Sequence, residues 1–140
     1  MTLQTRFNAF YSPLALESLG NLDTIYDSQV TFVDPVAVHV GLGALDSYFR
    51  RLLEGCTDCE FVIREQIFGE TQGWLYWNIT FASPRLNGGR DIDVDGSSVL
   101  AICDDRITYQ RDYYDLGAML YEQIPVLGGL IRHIRGRLAA

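Results

Sequence analysis

The stretch TFVDPVAVHVG, Thr31 to Gly41, decides how the rest of the chain is read. Its apolar and β-branched residues mark extended backbone, yet Asp34 and Pro35 interrupt it at the centre. Proline removes a ladder donor, so Val30–Val33 and Val36–Val40 are expected as two short strands joined at a turn. Asp34 is open to two readings. As a turn residue it accepts backbone N–H groups on either side of Pro35. As a pocket carboxylate it acts as a general base. A buried carboxylate must find hydrogen-bond partners or shift its pKa to stay neutral, so its surroundings distinguish the two.

Upstream, LQTRFNAFYSPLALESL repeats apolar residues at spacings of three and four (Leu3, Phe7, Phe10, Leu14), the period of a helix. Pro13 should kink or divide that helix, and a short second helix is expected around Leu22–Tyr26. Downstream, Gly41-Leu42-Gly43 breaks the chain before a third helix, Ala44–Leu53, whose Leu45, Tyr48, Phe49 and Leu52 make one apolar face. The period then changes from helix to strand. Glu60–Gly69, Gly73–Ser83, Arg90–Cys103 and Arg106–Tyr114 read as long strands, separated by turn residues at Thr71-Gln72-Gly73, Asn87-Gly88-Gly89 and Asp104-Asp105. Helical pieces followed by an antiparallel meander make an α+β order, expected as a single domain over residues 1–140. Residues 116–140 read as a C-terminal helical extension broken at Pro125. In its last part Leu130, Ile131, Ile134 and Leu138 fall on one side, with Arg132, Arg135 and Arg137 largely on the other.

With 140 residues and nearly half of them apolar, the chain can bury a sizeable core. Its net charge of −7 argues against a nucleic-acid partner, because phosphate binding needs a basic surface. Every basic residue is Arg. MTLQTRFNAF lacks the basic-then-apolar design of an export signal, and no apolar run approaches the roughly 20 residues that span a bilayer. A cytoplasmic protein without membrane insertion is the expectation. The three cysteines form no evident disulfide framework. Cys56 and Cys59 lie between a helix end and a strand start, the reverse of a redox pair at a helix N-terminus.

Other candidate chemistry gathers in the RDYYD stretch, Arg111 to Asp115, that ends the last strand. Alternation puts Gln110, Asp112 and Tyr114 on one face and Arg111, Tyr113 and Asp115 on the other, so only one of the carboxylates can enter a given cavity. Trp74, Tyr76 and Trp77 cluster on one strand, where Leu75, Trp77, Ile79 and Phe81 share a face that suits a core or an apolar pocket wall. Phosphate-loop, dinucleotide-binding, zinc-protease and serine-elbow motifs are all missing, and neither a cofactor nor a metal is expected.

The order FNAFY, then TFVDP with VGLGAL, then DDRITYQRDYYD resembles the nuclear transport factor 2-like superfamily over nearly the whole chain. Within it the chain resembles the SnoaL-like proteins, with similarity also to ketosteroid isomerase and limonene epoxide hydrolase. That resemblance implies a cone: a curved antiparallel sheet wrapped around the N-terminal helices, with a deep apolar pocket, commonly in a homodimer. It implies a small apolar ligand of lipid, polyketide or terpenoid type. It also implies either cofactor-free acid/base chemistry of the isomerase, cyclase or dehydratase kind, or a non-catalytic binding or interaction module.

Residue by residue, Asp34 matches the isomerase's general base, and Tyr11, with Phe10 beside it, its tyrosine donor. The isomerase's second donor, a protonated Asp, falls at Ser98. Asp112 resembles the strand-end carboxylate of the hydrolase and the cyclases, while the hydrolase's Arg-x-Asp pair has no counterpart at Trp77–Ile79. Catalytic candidates are thus Asp34, Asp112 and Tyr11, with Tyr48, Trp77, Ile79, Ser98, Gln110 and Tyr114 expected to face the ligand. Asp34 is expected between Tyr11 and Trp77.

Overall fold

Thr2 opens the first helix, its hydroxyl oxygen accepting the Thr5 N–H at 3.1 Å. In the computed structural model, which describes Met1 to Ala140, helix α1 (Leu3–Tyr11) buries Leu3, Phe7, Phe10 and Tyr11. The helical period does divide near Pro13. Beyond it the chain winds as 3-10 turns over Leu16–Thr24, burying Leu19 and Leu22. The expected helix reaching Tyr26 is corrected: Tyr26 starts strand β1 (Tyr26–Val33). Tertiary pairing overrides local propensity there, since the Ile107 N–H donates to the Ile25 carbonyl at 2.9 Å and Tyr26 pairs with Ile107 across the sheet.

Pro35 ends β1, as the sequence required. β1 pairs antiparallel with β2 (Val38–Val40), Thr31 opposite Val40 and Val33 opposite Val38. Helix α2 (Leu42–Glu54) follows Gly41, whose φ of 88° is a backbone conformation glycine adopts without a Cβ penalty. Then come β3 (Asp58–Phe68), β4 (Gln72–Ala82), β5 (Ile92–Cys103) and β6 (Arg106–Tyr114). These four form the expected antiparallel meander.

The six-stranded sheet has the order β2-β1-β6-β5-β4-β3, and β1 lies parallel to β6. The sheet is antiparallel throughout except at the β1–β6 pair, which makes it mixed. Side-chain alternation reports which face is buried and carries no information on strand direction. β1 and β6 also share no tight turn that would force them antiparallel. Register shifts between Ile63 and Glu65 and between Ala101 and Ile102 bend the strands.

The concave face closes on the helices in a core of 22 residues, among them Leu75, Trp77, Ile79, Val94, Leu100 and Ile107 from the sheet. At Gly96 the Trp77 ring lies so close over the backbone that a Cβ would overlap it. The tail forms one helical turn, α3 (Leu116–Met119), and a final helix, α4 (Leu127–Ala139). Arg135 ties them together, reaching Asp115 at 3.0 Å and Glu122 at 2.9 Å. No helix is long and apolar enough to cross a membrane.

Candidate functional site

The two oxygens of Asp34 are used differently. Its Oδ1 accepts the N–H groups of Val36 and Ala37 at 2.8 and 2.9 Å, which is the expected turn cap. Its Oδ2 is buried and has no hydrogen-bond partner within the protein. The nearest basic group is His39, whose Nε2 stands 3.9 Å away and is likewise buried and unpartnered. The His39 ring stacks on Tyr48 with centroids 4.3 Å apart. Burial pushes the Tyr48 phenol well above its ordinary pKa, and the Asp34 charge adds to the shift. Tyr11 and Trp77, expected around Asp34, direct their polar atoms elsewhere.

They belong to a second arrangement, centred on Asp112. Tyr11 and Tyr26 hydroxyls meet at 2.7 Å, and the Tyr26 O–H is given to Gln110 Oε1, also at 2.7 Å. Tyr11 is therefore the donor to Tyr26. Gln110 Nε2 in turn donates to Asp112 Oδ1 at 2.9 Å. From the other side, the Trp77 indole N–H donates to Ser98 Oγ at 2.9 Å, and Ser98 donates to the same Asp112 oxygen at 2.6 Å. Two donor chains converge on one carboxylate oxygen, and no hydrogen bond is made to the other.

Burial pushes the Asp112 carboxyl up to about 6, although its two donors favour the charged form and oppose the shift. The charge on Asp34 pushes in the same direction as burial. The Tyr11, Tyr26 and Tyr114 phenols are all raised, chiefly by burial. They stay neutral donors at physiological pH.

Of the predicted residues, Tyr11, Trp77, Ser98 and Gln110 are thus assembled around Asp112, and Tyr48 lies beside Asp34. Tyr114 packs against Trp77 at 6.2 Å between ring centroids. Ile79 lines a separate apolar cavity of about 270 Å³, with Val36, Leu52, Cys56, Cys59 and Met119 among its walls. The Cys59 thiol is raised to about 11 by burial, which leaves it protonated and a poor nucleophile.

Tyr26 and His39 escaped the sequence reading. Tyr26 looked like the end of a helix and carried no signal of its own. In β2 the apolar residues face outward, with Val38 and Val40 exposed and His39 half-buried between them. Alternation alone signals that His39 points away from both valines; which side is interior depends on the sheet.

A curved mixed sheet closed over helices defines the fold, and comparison with known proteins gives the family. A model of the SnoaL-like domain matches residues 7–110, so the chain belongs to the SnoaL-like domain family. Among solved structures, a hypothetical protein of Catenulispora acidiphila with a ketosteroid isomerase-like fold, in complex with trimethylamine, superposes with a TM-score of 0.71. Identity there is 17%, over 88% of this chain and 93% of that one. A SnoaL-like polyketide cyclase of Agrobacterium tumefaciens gives 0.70 at 14% identity, covering 85% and 95% of the two chains. TerC, co-crystallised with polyporic acid, gives 0.69 at 15% identity, covering 84% and 92%. At these identities the likeness is one of fold. None of the curated proteins matches the chain in sequence.

Proposed function

We propose that this protein binds a small apolar molecule within the cone and performs cofactor-free acid/base chemistry on it, with Asp112 as the proton-transferring group. The carrying observation is the convergence of two donor chains on Asp112 Oδ1, which leaves the second oxygen of this half-buried carboxylate unbonded. Such a carboxylate is oriented, mostly ionised at neutral pH, and basic enough at a pKa of about 6 to accept a proton from carbon and return it. Tyr11, Tyr26 and Trp77 act here as positioning residues, because they reach Asp112 only through Gln110 or Ser98. The solved SnoaL-like polyketide cyclase and TerC with its bound polyporic acid support an apolar, oxygenated ligand. Exposed Ile67, Trp74 and Val99 on the outer face of the sheet support a homodimer, checked by sedimentation at micromolar concentration.

Deuterium incorporation into β-tetralone in heavy water, followed by proton NMR, tests the chemistry. The protein should accelerate exchange next to the carbonyl above the buffer rate, and Asp112→Asn should remove at least about 100-fold of that acceleration. Exchange at the buffer rate with ligand demonstrably bound would leave the non-catalytic binding reading in its place.

A further inference from the structure

We propose that Asp34 and His39 form a hydroxyl-anchoring subsite inside the cone, in which one ligand oxygen bonds Asp34 Oδ2 and His39 Nε2 together. The inference rests on the ligand-binding reading above and names a group its ligand must carry.

Both atoms are buried and unpartnered, a condition seldom met in native proteins without a reason. Their 3.9 Å separation is too long for a direct hydrogen bond. It matches the span of two atoms that each bond one shared oxygen at about 2.8 Å. Neither group is free to turn away. Asp34 Oδ1 is held by two backbone N–H groups, which aims Oδ2. His39 is held by its stack on Tyr48, with the rings inclined by 30°. The Asp34 side chain has no exposure and that of His39 has 11%, so the pair faces inward.

The apolar cavity of about 270 Å³ does not include the pair in its walls, but it is lined by neighbours of both supporting elements. Val36, two residues after Asp34, lines it, and so does Leu52, one helical turn beyond Tyr48. The chemistry of the pair selects its occupant. A carboxylate oxygen only accepts, and a protonated imidazole nitrogen only donates. A hydroxyl satisfies both at once, whereas a ketone or ether oxygen brings no proton for Asp34. An apolar molecule bearing a phenol, enol or alcohol is the class that fits.

Fluorescence titration with β-naphthol, β-methoxynaphthalene and naphthalene tests the assignment. β-Naphthol should bind at least about tenfold more tightly than either analogue, since a buried polar pair discriminates strongly against a ligand that leaves it unpaired. Asp34→Asn keeps the oxygen that accepts the turn N–H groups, and His39→Phe keeps a ring to stack on Tyr48. In both variants the preference should fall below about twofold. Asp112→Asn should keep it.

In imidazole nitrogen NMR spectra, β-naphthol should move the His39 resonances and leave those of His133, exposed on α4, in place. Naphthalene binding without a preference for β-naphthol, or a preference surviving both variants, would overturn the subsite and leave the acid/base reading standing. A tighter fit for β-naphthylamine than for β-naphthol would replace the hydroxyl assignment with an amine. Failure of every probe to bind would overturn both readings.

Discussion

Asp34 and Asp112 share a plan and differ in how it is executed. Each carboxylate gives one oxygen to two donors and leaves the other unbonded. For Asp34 the donors are backbone N–H groups two and three residues ahead, within a single turn. For Asp112 they are side chains, Gln110 from its own strand and Ser98 from the neighbouring one, backed by Tyr26, Tyr11 and Trp77. The local device orients its residue by chain connectivity alone. The distributed device orients its residue only when α1, β1, β4, β5 and β6 have all assembled. Damage should therefore stay local at Asp34 and spread at Asp112.

Activity should separate the two most sharply. Asp112→Asn is expected to lower β-tetralone exchange at least about 100-fold, and Asp34→Asn no more than about tenfold. Equal losses in the two variants would show that the carboxylates act as one pair.

Next comes the packing behind Asp112. Gly96→Ala would place a methyl group in the Trp77 ring, which must move and withdraw its N–H from Ser98. Chemical denaturation should show a loss of about 2–3 kcal/mol. A carbon-detected titration of Asp112 in the same variant should depart from about 6. Retention of that value would mean the Trp77–Ser98 arm does not tune the carboxylate.

The third prediction concerns pH. The folded-state pKa of Asp112 is raised above its unfolded value, so the folded protein binds that proton more tightly than the unfolded chain does. Its ionised form is a cost that is fully present above about pH 6 and is relieved as pH falls toward 4. Asp112→Asn removes the charge and should stabilise the protein at pH 7 by about 2 kcal/mol, after allowance for the partial exposure of Asp112. The gain should vanish near pH 4.

The smallest effect belongs to the turn. Asp34→Ala loses both N–H bonds and should cost about 1–2 kcal/mol, while Asp34→Asn should stay within about 0.5 kcal/mol in melting experiments. Comparable losses in both would mean that the ionised form, and not the turn geometry, holds this corner.

Much of the scaffold was legible in the residues. Four long alternating runs became β3 to β6, and Pro35 and Gly41 fell at a strand end and a helix start as their backbone chemistry demands. The facing of Gln110, Asp112 and Tyr114 followed from period two. Tyr26 was misread because a residue's hydrogen-bond partner 84 positions away leaves no trace in its local pattern. His39 was passed over because β2 turns its valines outward, inverting the usual relation between apolarity and burial.

By itself the sequence determined the punctuation and faces of the strands, the family resemblance, and the turn that clamps Asp34, because each depends on neighbours along the chain. Tertiary structure alone decided that β1 runs parallel to β6, that Tyr11 serves Asp112 and not Asp34, and that His39 faces Asp34 across 3.9 Å. Those outcomes depend on side chains brought together across the sheet, and on burial, which alters a carboxylate's pKa only once the cone has closed around it.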